Sequence, residues 1–141
     1  METKNDRLAP AVALWAETLG GPLGFGPLAL EEAGPGEGWT LESEGESIQT
    51  EKTDLLGRRR QKREARFWLR LRLSQPEGDK QSILKNSERL LLLWRALDAA
   101  EPPQGFDRIL VSGKYQKTVT EEGILQVKMG LLAQYTSLID P

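Results

Sequence analysis

The sequence predicts a single-domain α+β fold in which an antiparallel β-sheet packs against an N-terminal helix and a central helix. Three observations carry this. Leu8, Val12, Trp15 and Leu19 recur at spacings of four, three and four, which places them along one side of a helix. Ala65-Arg66-Phe67-Trp68-Leu69-Arg70-Leu71-Arg72-Leu73 holds an apolar residue at every odd position, the period-two pattern of a half-buried strand. Leu125, Val127, Met129, Leu131, Ala133 and Tyr135 alternate in the same way with Gln126, Lys128, Gly130, Leu132 and Gln134.

The elements follow in order. The first stripe defines a helix over about residues 5–19, stopped by Gly20-Gly21-Pro22. Residues 20–38 form a Gly/Pro-rich loop with a short extended piece at Leu28–Leu30. Trp39-Thr40-Leu41 opens one strand, and Ser47 to Thr53 alternates as a second. The third strand, Ala65–Leu73, has a strongly basic outer face of Arg66, Arg70 and Arg72 around Trp68. Gln75-Pro76-Glu77-Gly78-Asp79 is a turn, after which Ser82 caps a helix running to about Ala100. Four consecutive leucines, Leu90 to Leu93, widen its apolar stripe and predict burial on more than one side. Glu101-Pro102-Pro103 ends that helix. Phe106–Thr118 reads as a strand, Glu122-Gly123 as a turn, and Leu125–Tyr135 as a long final strand. The order is α-β-β-β-α-β-β, an α+β sandwich of helices on one sheet. At 141 residues the chain builds one core, so residues 1–141 are read as one domain.

Composition narrows the chemistry. The chain has neither cysteine nor histidine, which removes disulfides, thiolate metal sites, cysteine nucleophiles and every Ser-His arrangement. The expectation is a protein that is not an enzyme and holds no metal and no cofactor. No apolar run is long enough to span a membrane. Met1 to Arg7 is polar and mixed in charge, without the basic-then-apolar plan of a signal peptide, so a soluble cytoplasmic product is expected.

The motifs that suggest cofactors do not hold up. Gly24-Phe25-Gly26-Pro27-Leu28-Ala29 formally fits a dinucleotide-binding pattern, but a helix precedes it where a strand is required. Gly113-Lys114 resembles the end of a phosphate loop, yet Arg108 stands where the partner glycine belongs and Tyr115 where Ser or Thr must ligate magnesium. Acids are plentiful, and no spacing selects a catalytic pair or a metal loop among them.

Charge distribution is more informative. Residues 31–54 carry eight acids against Lys52, a net −7, whereas residues 55–73 carry eight bases against Glu64, a net +7. The two segments read as adjacent strands of one hairpin, with residues 55–62 at or near its tip. Glu42, Glu44, Glu46, Glu51 and Asp54 form an acidic edge. Arg58, Arg59, Arg60, Lys62, Arg63, Arg66, Trp68, Arg70 and Arg72 form a basic one. Three uses are open: cross-strand pairing on a solvated face, self-complementary contacts between copies that close into a ring, and a basic loop facing nucleic-acid phosphates.

The second half of the chain resembles a known family. The basic hairpin ends in Arg66-Phe67-Trp68-Leu69-Arg70-Leu71-Arg72-Leu73, followed by Ser87-Glu88-Arg89-Leu90-Leu91-Leu92-Leu93-Trp94. Pro102-Pro103, Ile109-Leu110-Val111-Ser112-Gly113-Lys114-Tyr115 and the closing strand from Gly123 through Tyr135 complete the pattern. Trp39-Thr40-Leu41 and Glu46-Ser47-Ile48-Gln49 fit its beginning. This ordering, over about residues 39–136, is similar to the minor capsid and tail-terminator proteins of tailed bacteriophages and prophages. The resemblance implies a compact α+β domain and a six-subunit ring on the head-proximal end of the tail tube. Such a ring stops tube polymerisation and joins tail to head. Its implied partners are further copies of itself, the tail tube protein and a head-completion or connector protein, with a sheath protein as an optional fourth. DNA would pass through the lumen without sequence specificity. The implied location is the virion, after assembly in the host bacterial cytoplasm. The family supplies no catalytic residues. The alternative is a nucleic-acid-binding module using the basic hairpin Arg58–Arg72.

Overall fold

The computed structural model describes residues 4–30 and 37–140, apart from the side chains of residues 4–7, 113 and 114. Helix α1 (Lys4–Gly20) leads through a single 3₁₀ turn (Gly21–Leu23) to a two-residue strand β1 (Leu28–Ala29). Then come β2 (Gly38–Thr53), β3 (Arg59–Ser74), α2 (Lys80–Ala99), β4 (Arg108–Val119) and β5 (Ile124–Ile139). The strands form a five-stranded sheet ordered β1-β2-β3-β5-β4. The single-domain α+β class and the order α-β-β-β-α-β-β are as the sequence predicts.

Three details differ. The sheet is mixed, because β1 pairs parallel to β2 while every other pair is antiparallel. The segments starting at Trp39 and Ser47 are one sixteen-residue strand rather than two, interrupted by register shifts at Ser43/Gly45 and Ile48/Thr50. The extended piece at Leu28–Leu30 supplies the missing strand, so the order holds with different members. Part of the Gly/Pro-rich loop, including Glu31, Glu32 and Gly34-Pro35-Gly36, lies outside the described residues.

Antiparallel register puts directly opposed residues on the same face. Phe67 stands opposite Leu131, Leu69 opposite Met129 and Leu41, and Leu71 opposite Val127 and Trp39. All eight side chains are buried and form the floor of the core. Both helices lie on this face. Val12, Ala13 and Ala16 of α1 join the same core, and the Trp39 ring lies against Gly20 at the end of that helix. On α2, Leu90, Leu93 and Leu97 reach the core, and Trp94 stacks obliquely on Tyr115 of β4 at 5.7 Å.

Helix α2 corrects two expectations. Its N-cap is Asp79, whose Oδ1 accepts the Ser82 backbone N–H at 3.2 Å while Oδ2 accepts the Ser82 hydroxyl at 2.9 Å. These bonds to Ser82, with one from the Gln81 backbone, hold the Asp79 carboxyl below the ordinary carboxylate value. The helix is also buried on one side only. Leu90 and Leu93 are 4% and 0% exposed, but Leu91 and Leu92 remain 50% and 40% exposed. The helices form one layer on the sheet, so nothing packs on the outer side of α2 among the described residues.

Polar contacts fasten the irregular segments. Arg89 lies over the Phe25 ring at 4.5 Å and donates to the carbonyls of Leu23 and Gly24 at 3.2 and 3.0 Å. The Trp39 indole N–H donates to the Gly26 carbonyl, and Glu17 Oε2 accepts the Leu28 N–H at 2.8 Å. Gly24 therefore ends a 3₁₀ turn tied to Arg89, and Leu28–Ala29 continues as a strand. Among the described residues no helix N-terminus directly follows the glycines, as a pyrophosphate site would require.

Candidate functional site

The β2–β3 hairpin carries almost every residue singled out from the sequence. Its tip is a turn in which Asp54 N–H donates to the Arg58 carbonyl at 2.9 Å and Gly57 N–H to the Asp54 carbonyl at 3.1 Å. Gly57 has φ +81°, a left-handed conformation that favours glycine. Asp54 Oδ1 accepts the N–H groups of Leu56 and Arg58, each at 2.9 Å, and Oδ2 pairs with Arg58 Nε at 2.8 Å. Desolvation pushes this carboxyl up, but the bonds from Arg58 and Leu56 outweigh it and hold it below its ordinary value.

Below the tip the acidic and basic edges meet each other. Glu51 pairs with Arg59 at 3.4 Å, Glu46 with Arg63 at 2.6 Å and Glu42 with Arg70 at 2.7 Å. Four of the five acids of the acidic edge are thus engaged inside the chain. Glu44 makes no ion pair among the described residues.

The Glu46–Arg63 pair is the centre of a half-buried network that sequence reasoning missed. Arg63 Nη1 also donates to Gln61 Oε1 at 2.8 Å, and the Tyr135 hydroxyl donates to Glu46 Oε2 at 3.0 Å. Burial pushes the Tyr135 hydroxyl up, and its bond to Glu46 pushes it further, with Arg63 opposing. Desolvation pulls the Arg63 guanidinium down, but Glu46 outweighs it and the net shift is upward. The pairing of Arg63 with Tyr135 across β3 and β5 was the available signal, and it becomes visible only once register is known.

The face of the sheet away from the helices differs from the core face. Here β3 presents Arg60, Lys62, Arg66, Trp68, Arg70 and Arg72 in succession. Register adds Lys128 of β5 opposite Arg70, with its Nζ 4.1 Å from the Trp68 ring centroid. Trp68 belongs to this face, as its alternation predicts, and Gly130 lies opposite it. A side chain at Gly130 would collide with Ser112 Oγ, so glycine lets β4 fold close over Trp68. At one end the face deepens into an open groove of about 250 Å³ lined by Arg70, Arg72, Lys128, Gln126, Gln116 and Thr118.

A second exposed feature is apolar. Residues 48–60, the outer part of the hairpin, are exposed throughout. Leu55 and Leu56 project from the tip, and Ile48 and Leu138 are exposed on the adjoining strands.

Among the described residues, no three His, Cys, Asp or Glu side chains cluster as a metal site would need, and no helix is long and apolar enough to cross a membrane. No protein-family model and no curated protein sequence matches the chain.

Proposed function

We propose that this chain is a ring-forming structural subunit of a phage-type virion, a tail terminator that caps the head-proximal end of the tail tube. The observation that carries the reading is the bare outer end of the hairpin. Leu55 and Leu56 stand in solvent at its tip, and Ile48 and Leu138 remain uncovered on opposite faces of the strands behind it. A long strand pair reaching past its own core with an apolar tip is suited to a neighbouring subunit. The outer edge of β4 offers unpaired backbone groups as a second contact. Tip and edge are different surfaces, so such a contact is head-to-tail, the type that forms a ring when the rotation between copies closes. The strand order from Trp39 to Tyr135 that resembles the terminator family supports the same role. In this role the chain is a scaffold without catalysis, its partners are its own copies, the tube protein and the head connector, and its place is the virion.

The test is native mass against protein concentration, for the wild type and for the pair Leu55→Ser and Leu56→Ser. A discrete ring of about six copies that the double variant abolishes is the expected result. A monomer at every concentration, both alone and with polymerising tube ends, overturns it. The leucines are better targets than Arg58 and Arg59, whose reversal would also break their pairs with Asp54 and Glu51.

A further inference from the structure

We propose that the open face of the sheet is a phosphate-backbone binding track that holds nucleic acid along β3 without reading its sequence. The inference is independent of the ring and rests on charge placement. The chain as a whole is at −2, yet from Arg60 to Arg72 the open side of β3 carries five bases, and Lys128 stands beside them. The acids in register on this face are Glu42 and Glu64. Glu42 is spent on Arg70, and Glu64 accepts from the Gln134 amide at 3.1 Å. Asp107 reaches the rim, where it accepts from the Thr136 hydroxyl at 2.7 Å.

The remaining cations have no such partners. Arg60, Lys62, Arg66, Arg72 and Lys128 form no ion pair among the described residues. The bases on the helix side or in the turn, Arg58, Arg59 and Arg63, are each paired with an acid of the hairpin. Within β3 the fold therefore neutralises the bases of the helix side and leaves Arg60, Lys62, Arg66 and Arg72, all on the open face, for an external anion.

The track has a length. Arg60 to Arg72 spans about 40 Å of extended strand. That matches about twelve base pairs of duplex at about 3.4 Å each. The groove at its end places Arg70, Arg72 and Lys128 with the amide of Gln116 and the hydroxyl of Thr118 around one space, a donor set suited to phosphate oxygens. Trp68 lies under Lys128, which occupies a face of its ring, so a phosphate contact fits this surface better than base stacking.

The experiment is fluorescence anisotropy of labelled duplexes of unrelated sequence, with the full chain, across a salt series. Five unpaired cations give a slope of log K against log salt of about −4.5, or about 500-fold weaker binding between about 50 and 200 mM salt. Lys62→Glu with Arg66→Glu is expected to abolish binding. Lys80→Glu with Lys85→Glu on α2, an equal change in net charge, is expected to leave most of it. Arg60→Gln and Arg72→Gln, milder and tested singly, should each reduce the slope by about one. Circular dichroism verifies that each variant is folded. Equal loss in both glutamate pairs, or no binding at low salt, overturns the proposal. So does equal affinity for an acidic polypeptide of matched charge, which would assign the face to a protein. Displacement of the duplex by free nucleotide at equal phosphate concentration would reduce the track to a small-anion site and also overturn it. Native mass, measured in parallel, reports on ring formation separately.

Discussion

The two halves of the β2–β3 hairpin share one hydrogen-bonded ladder and are held in shape by different forces. From Trp39 to Leu41 and from Ala65 to Leu73, the inner side chains lie under the helices and are almost completely buried. From Ile48 to Arg60 every residue is exposed, and no core lies above the strands. The covered half is fixed by apolar packing. The bare half is fixed by its turn, by the third strand β5, and by the Glu46–Arg63–Tyr135 network at the boundary. The difference teaches that stability and exposed chemistry are segregated along one strand pair. The half that holds the fold together has one face uncovered, and the half that contributes little to the core is exposed throughout.

The comparison breaks most visibly in the covered half. Leu69→Ala, at a fully buried position, is expected to cost about 2–5 kcal/mol in a denaturant titration. A cost near zero would mean that the helices do not seat on this part of the sheet. Glu46→Gln probes the boundary. It weakens a partly buried, charge-assisted bond to Arg63, and a loss of about 1–3 kcal/mol is expected. Amide exchange should rise first in the outer hairpin, while protection persists at Phe67 to Leu71.

Tyrosine ionisation sharpens the same contrast. Tyr115 and Tyr135 are the two tyrosines of the chain, and both hydroxyls are pushed up, Tyr115 by burial and Tyr135 by burial and Glu46. An ultraviolet titration should show both ionising above the ordinary value of about 10 in the folded protein and near it in denaturant. A raised folded value means that this stabilisation is present below the unfolded value and is lost as pH rises through the folded one. A native curve coinciding with the denatured curve would remove the network.

Asp79→Ala, at the cap of α2, should lower the melting temperature by a few degrees at neutral pH. Its carboxyl is held low, so the gap between wild type and variant should be present above about pH 4 and close as pH falls through the lowered folded value. The smallest expected effect is that of Leu55→Ala, within about 0.5 kcal/mol of wild type, since the side chain is exposed. A larger loss would show that the tip is covered in solution.

The apolar periodicity of β3 and β5 made the covered half legible, because alternation there follows directly from one-sided burial. Helix α2 was legible in extent and misjudged in depth. Four leucines in a row specify an apolar helix but not the number of layers around it, and the second layer is missing above Leu91 and Leu92. The bare half was legible only as charge. Its acids and bases were visible as opposed blocks, but pairing depends on register, and the bulges between Ser43 and Thr50 shift that register twice. Lys128, Gln116 and Thr118 were unreadable as members of a groove for the same reason. They come from strands far from Arg70 in sequence and meet it only through the order β3-β5-β4.

One feature of β4 limits what its outer edge can pair with. Between Val111 and Tyr115 the strand passes three residues, 112 to 114, while β5 passes only Gly130 between Leu131 and Met129. A straight foreign strand laid along the outer edge would match the backbone on one side of this offset and be out of step on the other. The edge can accept a short, aligned partner and resists endless stacking. The same two extra residues that bring Ser112 over Gly130 thereby make the edge of β4 a poor template for repeated strand addition.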